Sequence, residues 1–260
     1  MKHLTNEELM REVMAKRPEA MHEWALRLMA VEREFDAVSW LRESANLGFA
    51  ESAYEMGNCY YGGFGVEEDW AQAFYYYEQA AAAGHPDAIN NLADMYLNGE
   101  YVEIDEVKAL HLFEKAAAFH VPEAMFTLGM MYEQGLGTAV DFKRALHYYK
   151  EAASYGDVEA EYRMGSIYYE GLLGEEIDYS LAYEWFEKAA ANFHVDAQFN
   201  LGYMNMNGIG RTANGELALH YLKQAALQGD DSAVELIIEI YEAGILVVKD
   251  VEKAMKWRAK

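Results

Sequence analysis

Residues 128–137 read LGMMYEQGLG, and this stretch decides the fold. A glycine inside a helix costs about 1 kcal/mol relative to alanine, yet Leu128, Met131 and Tyr132 keep the apolar spacing of a helix. The three glycines belong either to a phosphate-cradling loop or to a structural motif. A phosphate loop requires G-x-x-x-x-G-K-[ST] after a strand. Gly129, Gly135 and Gly137 meet neither the spacing nor the context.

The same pattern recurs along the chain. MGNCY begins at Met56, LADMY at Leu92, LGMMY at Leu128, MGSIY at Met164, LGYMN at Leu201 and a weaker IIEIY at Ile237, in steps of 36 or 37 residues. Helix-capping residues keep the same period: Asp69, Asp105, Asp141, Asp178, Asn214 and Asp250. An alanine follows each by four residues (Ala73, Ala109, Ala145, Ala182, Ala218, Ala254), and alanine pairs such as Ala80–Ala81 and Ala152–Ala153 follow in turn. Independent positions sharing one period mark a repeat protein.

Each unit reads as two helices. Helix A runs from about Ala124 to Glu133 in the third unit, with acid in its first turn, and stops at a glycine: Gly63, Gly99, Gly135, Gly171, Gly208 or Gly244. The Asp or Asn then caps helix B by accepting a backbone N–H. Helix B ends near Gly84, Gly156 or Gly229, where glycine suits a left-handed turn; His120 and Phe193 stand there in two units. Ala124, Leu128, Met131 and Tyr132 share the apolar face of helix A. The flanking glycine (Gly57, Gly129, Gly165, Gly202) is expected to admit a neighbouring helix, with the paired alanines of helix B as its counterpart. Residues 1–19 are expected to form an N-terminal capping helix, with Thr5 and Glu8 in capping-box spacing. A degenerate repeat is expected at 20–51, repeats at 52–87, 88–123, 124–159, 160–196 and 197–232, and a truncated repeat at 233–260, all within a single solenoid domain.

The pattern A-x-x-x-L-G-x-x-Y-x-x-G-x-G, D-x-x-x-A-x-x-Y, K-A-A resembles the Sel-one-like repeat (SLR) family. Residues 124–153, AMFTLGMMYEQGLGTAVDFKRALHYYKEAA, carry it most fully, and the similarity covers about residues 40–260. The resemblance implies an all-α, right-handed superhelical solenoid of antiparallel helix pairs, related to tetratricopeptide repeats. It also implies adaptor or scaffold roles, with other proteins bound on the concave surface. Cysteine-rich secreted relatives carry a disulfide in each repeat; this chain has one cysteine, so their activity is not carried over.

Composition narrows the partners. The 260 residues hold 21 Lys and Arg against 44 Asp and Glu, a formal charge of −23. Phosphate affinity depends on clustered Lys and Arg, so neither nucleic acid nor an anionic membrane is expected, and a basic protein or peptide is. The lone Cys59 fits a reducing compartment, and with no signal-like or membrane-length apolar run the expected location is the cytoplasm. The last unit ends before its alanine pair and carries ILVV at Ile245–Val248, so the chain is expected to be a monomer or a weak dimer through that repeat.

No catalytic constellation is apparent, and no cofactor or metal is expected. His111, His147 and His220 are in phase on helix B; in-phase residues of neighbouring repeats stand about 10 Å apart, too far to share a zinc ion. Cys59 shares its phase with Met95, Met131, Ile167, Met204 and Ile240, the pattern of a buried core thiol. The acidic segments at Val66–Asp69 and Gly174–Asp178 lack the EF-hand pattern. Expected partner residues are those of helix A facing away from its apolar stripe. They are Tyr54, Glu55, Asn58, Asn91, Asp94, Asn98, Thr127, Met130 and Gln134, then Tyr162, Arg163, Ser166, Asn200, Tyr203 and Asn207. Asparagine offers both a donor and an acceptor to a peptide backbone, and Tyr and Arg anchor many interfaces. The residues alone leave open that this face is merely solvated, and that aromatic residues such as Tyr54, Phe126, Tyr162 and Phe199 pack between adjacent units. An adaptor is the expected function. The alternative is an inhibitory or immunity-type protein against a basic toxin or enzyme, and the remote alternative is an enzyme.

Overall fold

Fifteen α-helices occupy the described residues, 3–259, of the computed structural model. The first three are α1 (Asn6–Met14), α2 (Pro18–Met29) and α3 (Glu34–Asn46). Helices A and B then alternate: α4 (Ala50–Gly62), α5 (Trp70–Ala82), α6 (Pro86–Asn98), α7 (Glu106–Ala117), α8 (Pro122–Gln134) and α9 (Phe142–Ser154). The remainder are α10 (Val158–Glu170), α11 (Tyr179–Ala191), α12 (Val195–Asn207), α13 (Gly215–Leu227), α14 (Asp231–Ala243) and α15 (Val251–Arg258). The chain packs as two compact units, Met1–Ala139 with α1 to α8 and Val140–Lys260 with α9 to α15. Within each unit the helices that pack extensively are sequence neighbours. The fold class is the all-α solenoid of helix pairs with a repeat of about 36 residues.

The punctuation foreseen in the sequence is present. Thr5 and Glu8 form a capping box on α1, the Thr5 N–H donating to Glu8 Oε2 at 2.9 Å. All six glycines after helices A are left-handed, with φ from +67 to +76. All six Asp or Asn residues cap helices B; Asp141 Oδ1, for example, accepts from the Lys143 and Arg144 N–H groups at 3.1 Å each. At the ends of helices B, His120 and Phe193 take the left-handed conformation (φ +63 and +65) without being glycine. A side chain in that conformation costs about 1–2 kcal/mol, and glycine gives back about 0.5–1 kcal/mol in chain entropy. Phe193 is 72% exposed, so little packing is at stake. Phe193→Gly is therefore expected to raise stability by about 0.5–1 kcal/mol, read as a higher urea midpoint.

One expectation is corrected. The counterpart of the helix A glycine is not the alanine pair but the large residue eight after the cap. A Cβ on Gly165 would lie 2.5 Å from the Phe186 ring, one on Gly202 2.5 Å from Leu222 Cγ, and one on Gly57 would overlap the Tyr77 ring. The alanines are buried as well (Ala80 0%, Ala81 7% exposed), but the glycine makes room for a ring or a branched chain.

Gly137 has two duties. Its φ is +66, and a Cβ there would overlap the carbonyl of Glu106 at the start of the preceding helix B. Gly65 and Gly210 stand in the same way over Glu34 and Tyr179. At the equivalent point of the last repeat the chain places Leu246, also left-handed at φ +56. The first residue of the helix beneath it is then Gly215, whose absent Cβ would lie 2.7 Å from Leu246 Cβ.

Candidate partner-binding surface

Helix A buries one stripe and presents the rest. Ala124, Leu128 and Met131 are 0% exposed and Tyr132 2%, while Thr127 and Met130 are half-buried and Gln134 is exposed. Most of the expected partner residues share this intermediate environment, fixed by packing on one side and open on the other. Asn98, Tyr203 and Asn207 are exposed.

Two aromatic residues near the start of helix A, Tyr54 and Tyr162, pack against the start of the next A helix. Tyr54 stacks on His85 (ring centroids 4.4 Å apart, planes at 17°) and Tyr162 on His194 (4.3 Å, 17°). Each histidine caps the following helix A, its Nδ1 accepting from the Ala88 N–H (3.4 Å) or the Ala197 N–H (3.3 Å). These tyrosines join neighbouring repeats and show only a part of their surface.

In the first unit the structure gathers Asn58, Asn91 and Asp94 around a pocket of 440 Å³. Tyr61, Gly62, Phe64, Tyr77, Met95 and Glu100 complete its walls, and none of these was on the expected surface. The Tyr77 hydroxyl donates to Asn58 Oδ1 at 2.9 Å, and Asn58 Nδ2 donates to Glu55 Oε2 at 3.4 Å. Asn90 Nδ2 donates to Asp94 Oδ2 at 3.1 Å, and the Tyr61 hydroxyl to Glu100 Oε2 at 3.1 Å. Burial pushes the Asp94 carboxyl up to about 6, with the nearby Glu100 charge adding to it. Burial likewise raises the Tyr61 and Tyr77 hydroxyls.

The other expected residues are not drawn into that pocket. Thr127 Oγ1 donates to the Glu123 carbonyl (3.0 Å), Ser166 Oγ to the Tyr162 carbonyl (3.2 Å) and Asn207 Nδ2 to the Tyr203 carbonyl (2.9 Å). These donors are spent on their own helices, a common use of short polar side chains. In the second unit the Arg163 guanidinium lies 5.9 Å from the centre of the Tyr149 ring. Asn200, at the same repeat phase, is half-buried.

Glu100 is the residue that could have been found from sequence. At its phase the other repeats carry Phe64, Leu136, Leu172, Ile209 and Ile245, so it is the one acid in an apolar series.

His111, His147 and His220 lie exposed on helices B. Among the described residues no group of three or more His, Cys, Asp or Glu is placed to hold a metal. Cys59 is 2% exposed, and burial pushes its thiol up to about 11. Among the described residues no helix is long and apolar enough to cross a membrane.

An all-α repeat protein whose A helices each bury one apolar stripe and leave a half-open polar and aromatic side is thus defined. The Sel1 repeat profile matches residues 50–85, 86–118, 122–157, 158–192, 195–230 and 239–257. The chain belongs to the Sel1 repeat family, whose members generally mediate protein–protein interactions. It is similar to a protective antigen present in uropathogenic Escherichia coli strains that displays an SLR fold. The identity is 29% and the TM-score 0.91, over 99% of this chain and 56% of the antigen. The chain thus spans little more than half the length of that relative. A Sel1 repeat protein from Oxalobacter formigenes matches at 26% identity and a TM-score of 0.77, over 92% of this chain and 95% of its own. An immunity protein from Pseudomonas aeruginosa shares the fold at 20% identity and a TM-score of 0.53, over 81% of each chain.

Proposed function

We propose that this chain is a non-enzymatic interaction module that holds a protein or peptide against the exposed side of its A helices. One observation carries this. Along helices α4, α6, α10 and α12, amide, carboxyl, guanidinium and phenol groups are anchored by packing yet still reach solvent. Such pre-placed groups bind with little further loss of side-chain entropy. A formal charge of −23 favours a basic partner and speeds its approach at low salt. The lone buried Cys59 suits a reducing compartment such as the cytoplasm.

The charge also supports a second reading, an immunity-type inhibitor of a basic toxin or enzyme; the Pseudomonas protein that shares the fold is described as an immunity protein. Salt separates the two. Tight capture of a basic globular protein, through many charge pairs, should weaken steeply between low and physiological ionic strength; an adaptor that holds a peptide by backbone contacts and a few charged anchors should weaken less steeply.

The test is a triple substitution, Asn91→Ala, Arg163→Ala and Asn200→Ala, in the full chain. At about 1 kcal/mol per lost hydrogen bond, calorimetric affinity for a partner recovered from the native cell should fall roughly 100-fold. Helical content should be unchanged. Undiminished affinity would remove the helix A side from consideration.

A further inference from the structure

The pocket in the first unit has more than a general peptide-holding surface requires. Three aromatic rings, Tyr61, Phe64 and Tyr77, stand around two carboxylates, Asp94 and Glu100. The described partner of Asp94 is the Asn90 amide, and that of Glu100 is the Tyr61 hydroxyl. Among the described residues no lysine or arginine lines the pocket. Aromatic faces carry the negative lobe of the ring quadrupole, so rings and carboxylates both attract positive charge. Two half-buried acids without a counter-charge are costly, and Glu100 occupies a phase that five other repeats fill with an apolar residue. A volume of 440 Å³ lies in the range of small-ligand sites, about 300–1,000 Å³.

We propose that this pocket takes the cationic side chain of a lysine or arginine in a basic segment of the partner. The proposal rests on the reading above that the helix A side holds a partner, and it specifies what one anchor of that partner must be. The aliphatic stem lies along the rings and the charged head meets Asp94 and Glu100, an arrangement that combines ion pairing with cation–π attraction. Asn58 and Asn91 stand in the pocket wall, where their amides can serve the flanking peptide backbone.

Protonation competes with such a ligand. The Asp94 carboxyl is held up at about 6 by burial and by Glu100. Among the described residues that line the pocket, the other titratable groups besides Glu100 are Tyr61 and Tyr77, with Glu55 behind Asn58. A bound cation favours the ionised carboxylate and lowers that value. Affinity is then flat above about pH 7 and falls by up to tenfold per pH unit below about 6.

The test titrates the isotope-labelled full chain by NMR with N-acetyl-lysine methylamide and N-acetyl-arginine methylamide. N-acetyl-norleucine methylamide is the neutral control. Saturable shifts are expected at Tyr61, Phe64, Asp94 and Glu100 for both cations and not for norleucine, with binding about tenfold weaker at pH 5 than at pH 7. Asp94→Asn with Glu100→Gln should abolish the saturable shifts. Glu100→Leu restores the apolar residue usual at that phase, so it should fold at least as well and still weaken both cations. Equal binding of norleucine, unsaturable shifts spread over all surface acids, or unaltered binding by these variants would overturn the pocket assignment. If those occur while the native partner still depends on Asn91, Arg163 and Asn200, only the pocket proposal falls. If the pocket binds the cations but the partner is insensitive to all helix A substitutions, the surface reading falls, and the assignment of the cation to the partner falls with it.

Discussion

Phe186→Ala is expected to lower the stability of the second unit by about 3–5 kcal/mol, the usual cost of emptying a buried aromatic site. Gly165→Ala should cost about 1–3 kcal/mol by overpacking, because the added Cβ would lie 2.5 Å from that same ring. The sign of the glycine substitution should reverse when the two are combined. Without the ring nothing opposes the methyl group, and alanine is worth about 1 kcal/mol over glycine in a helix. Gly165→Ala should then stabilise the Phe186→Ala protein by roughly that amount. Urea unfolding of the four proteins forms a double-mutant cycle with an interaction term of about 2 kcal/mol or more. Additive effects would show that the glycine is not there to admit the ring. Phe186 is 1% exposed and packs against Tyr162 and Tyr169, at centroid distances of 5.7 and 6.3 Å. The site therefore has other groups that cannot collapse fully into the space.

Gly137→Leu should destabilise the first unit by about 3 kcal/mol, from the left-handed conformation and from overlap with the Glu106 carbonyl. It also threatens the hydrogen bond from the Gly137 N–H to Glu106 Oε2, which is 2.8 Å long. The last repeat provides the control. There the crowding partners are reversed, with Leu246 above Gly215. Gly215→Glu alone should destabilise, since its Cβ would meet Leu246 Cβ at 2.7 Å. Gly215→Glu together with Leu246→Gly rebuilds the Glu106–Gly137 pairing and should recover most of the loss. Calorimetric melting of the three variants decides the matter, and no recovery in the double variant would break the proposed link between residues 31 apart in sequence.

The elements visible in the sequence are those set by local chemistry. A left-handed stop and an Asp or Asn cap act over four residues, so Gly135 and Asp141 could be placed without knowing the fold. The partner of the helix A glycine could not. Alanine pairs and the Phe186 series both recur with the same period, and periodicity alone does not say which of them faces Gly165. The histidine caps at His85 and His194 were hidden for a similar reason. Their N-cap role shows only once Nδ1 is seen accepting from the Ala88 or Ala197 N–H. The pocket was half legible. Asn58, Asn91 and Asp94 lie on the expected surface, but Tyr61 and Phe64 lie around the end of one A helix, and Glu100 lies just past the left-handed end of the next. Only Glu100 carries a sequence signal, as an acid among apolar counterparts.

The restriction of extensive packing to neighbouring helices bears on how the chain is made. The pocket contact from Tyr61 to Glu100 spans only 39 residues. Contacts this local demand little loop-closure entropy before they are rewarded. A helix pair emerging from the ribosome already has its packing partner beside it in the nascent chain, and need not wait for a distant segment to be translated. Within each unit, order can spread from any completed pair to the next, so the pocket lined by α4, α5, α6 and the turn after α6 is complete once that turn has docked.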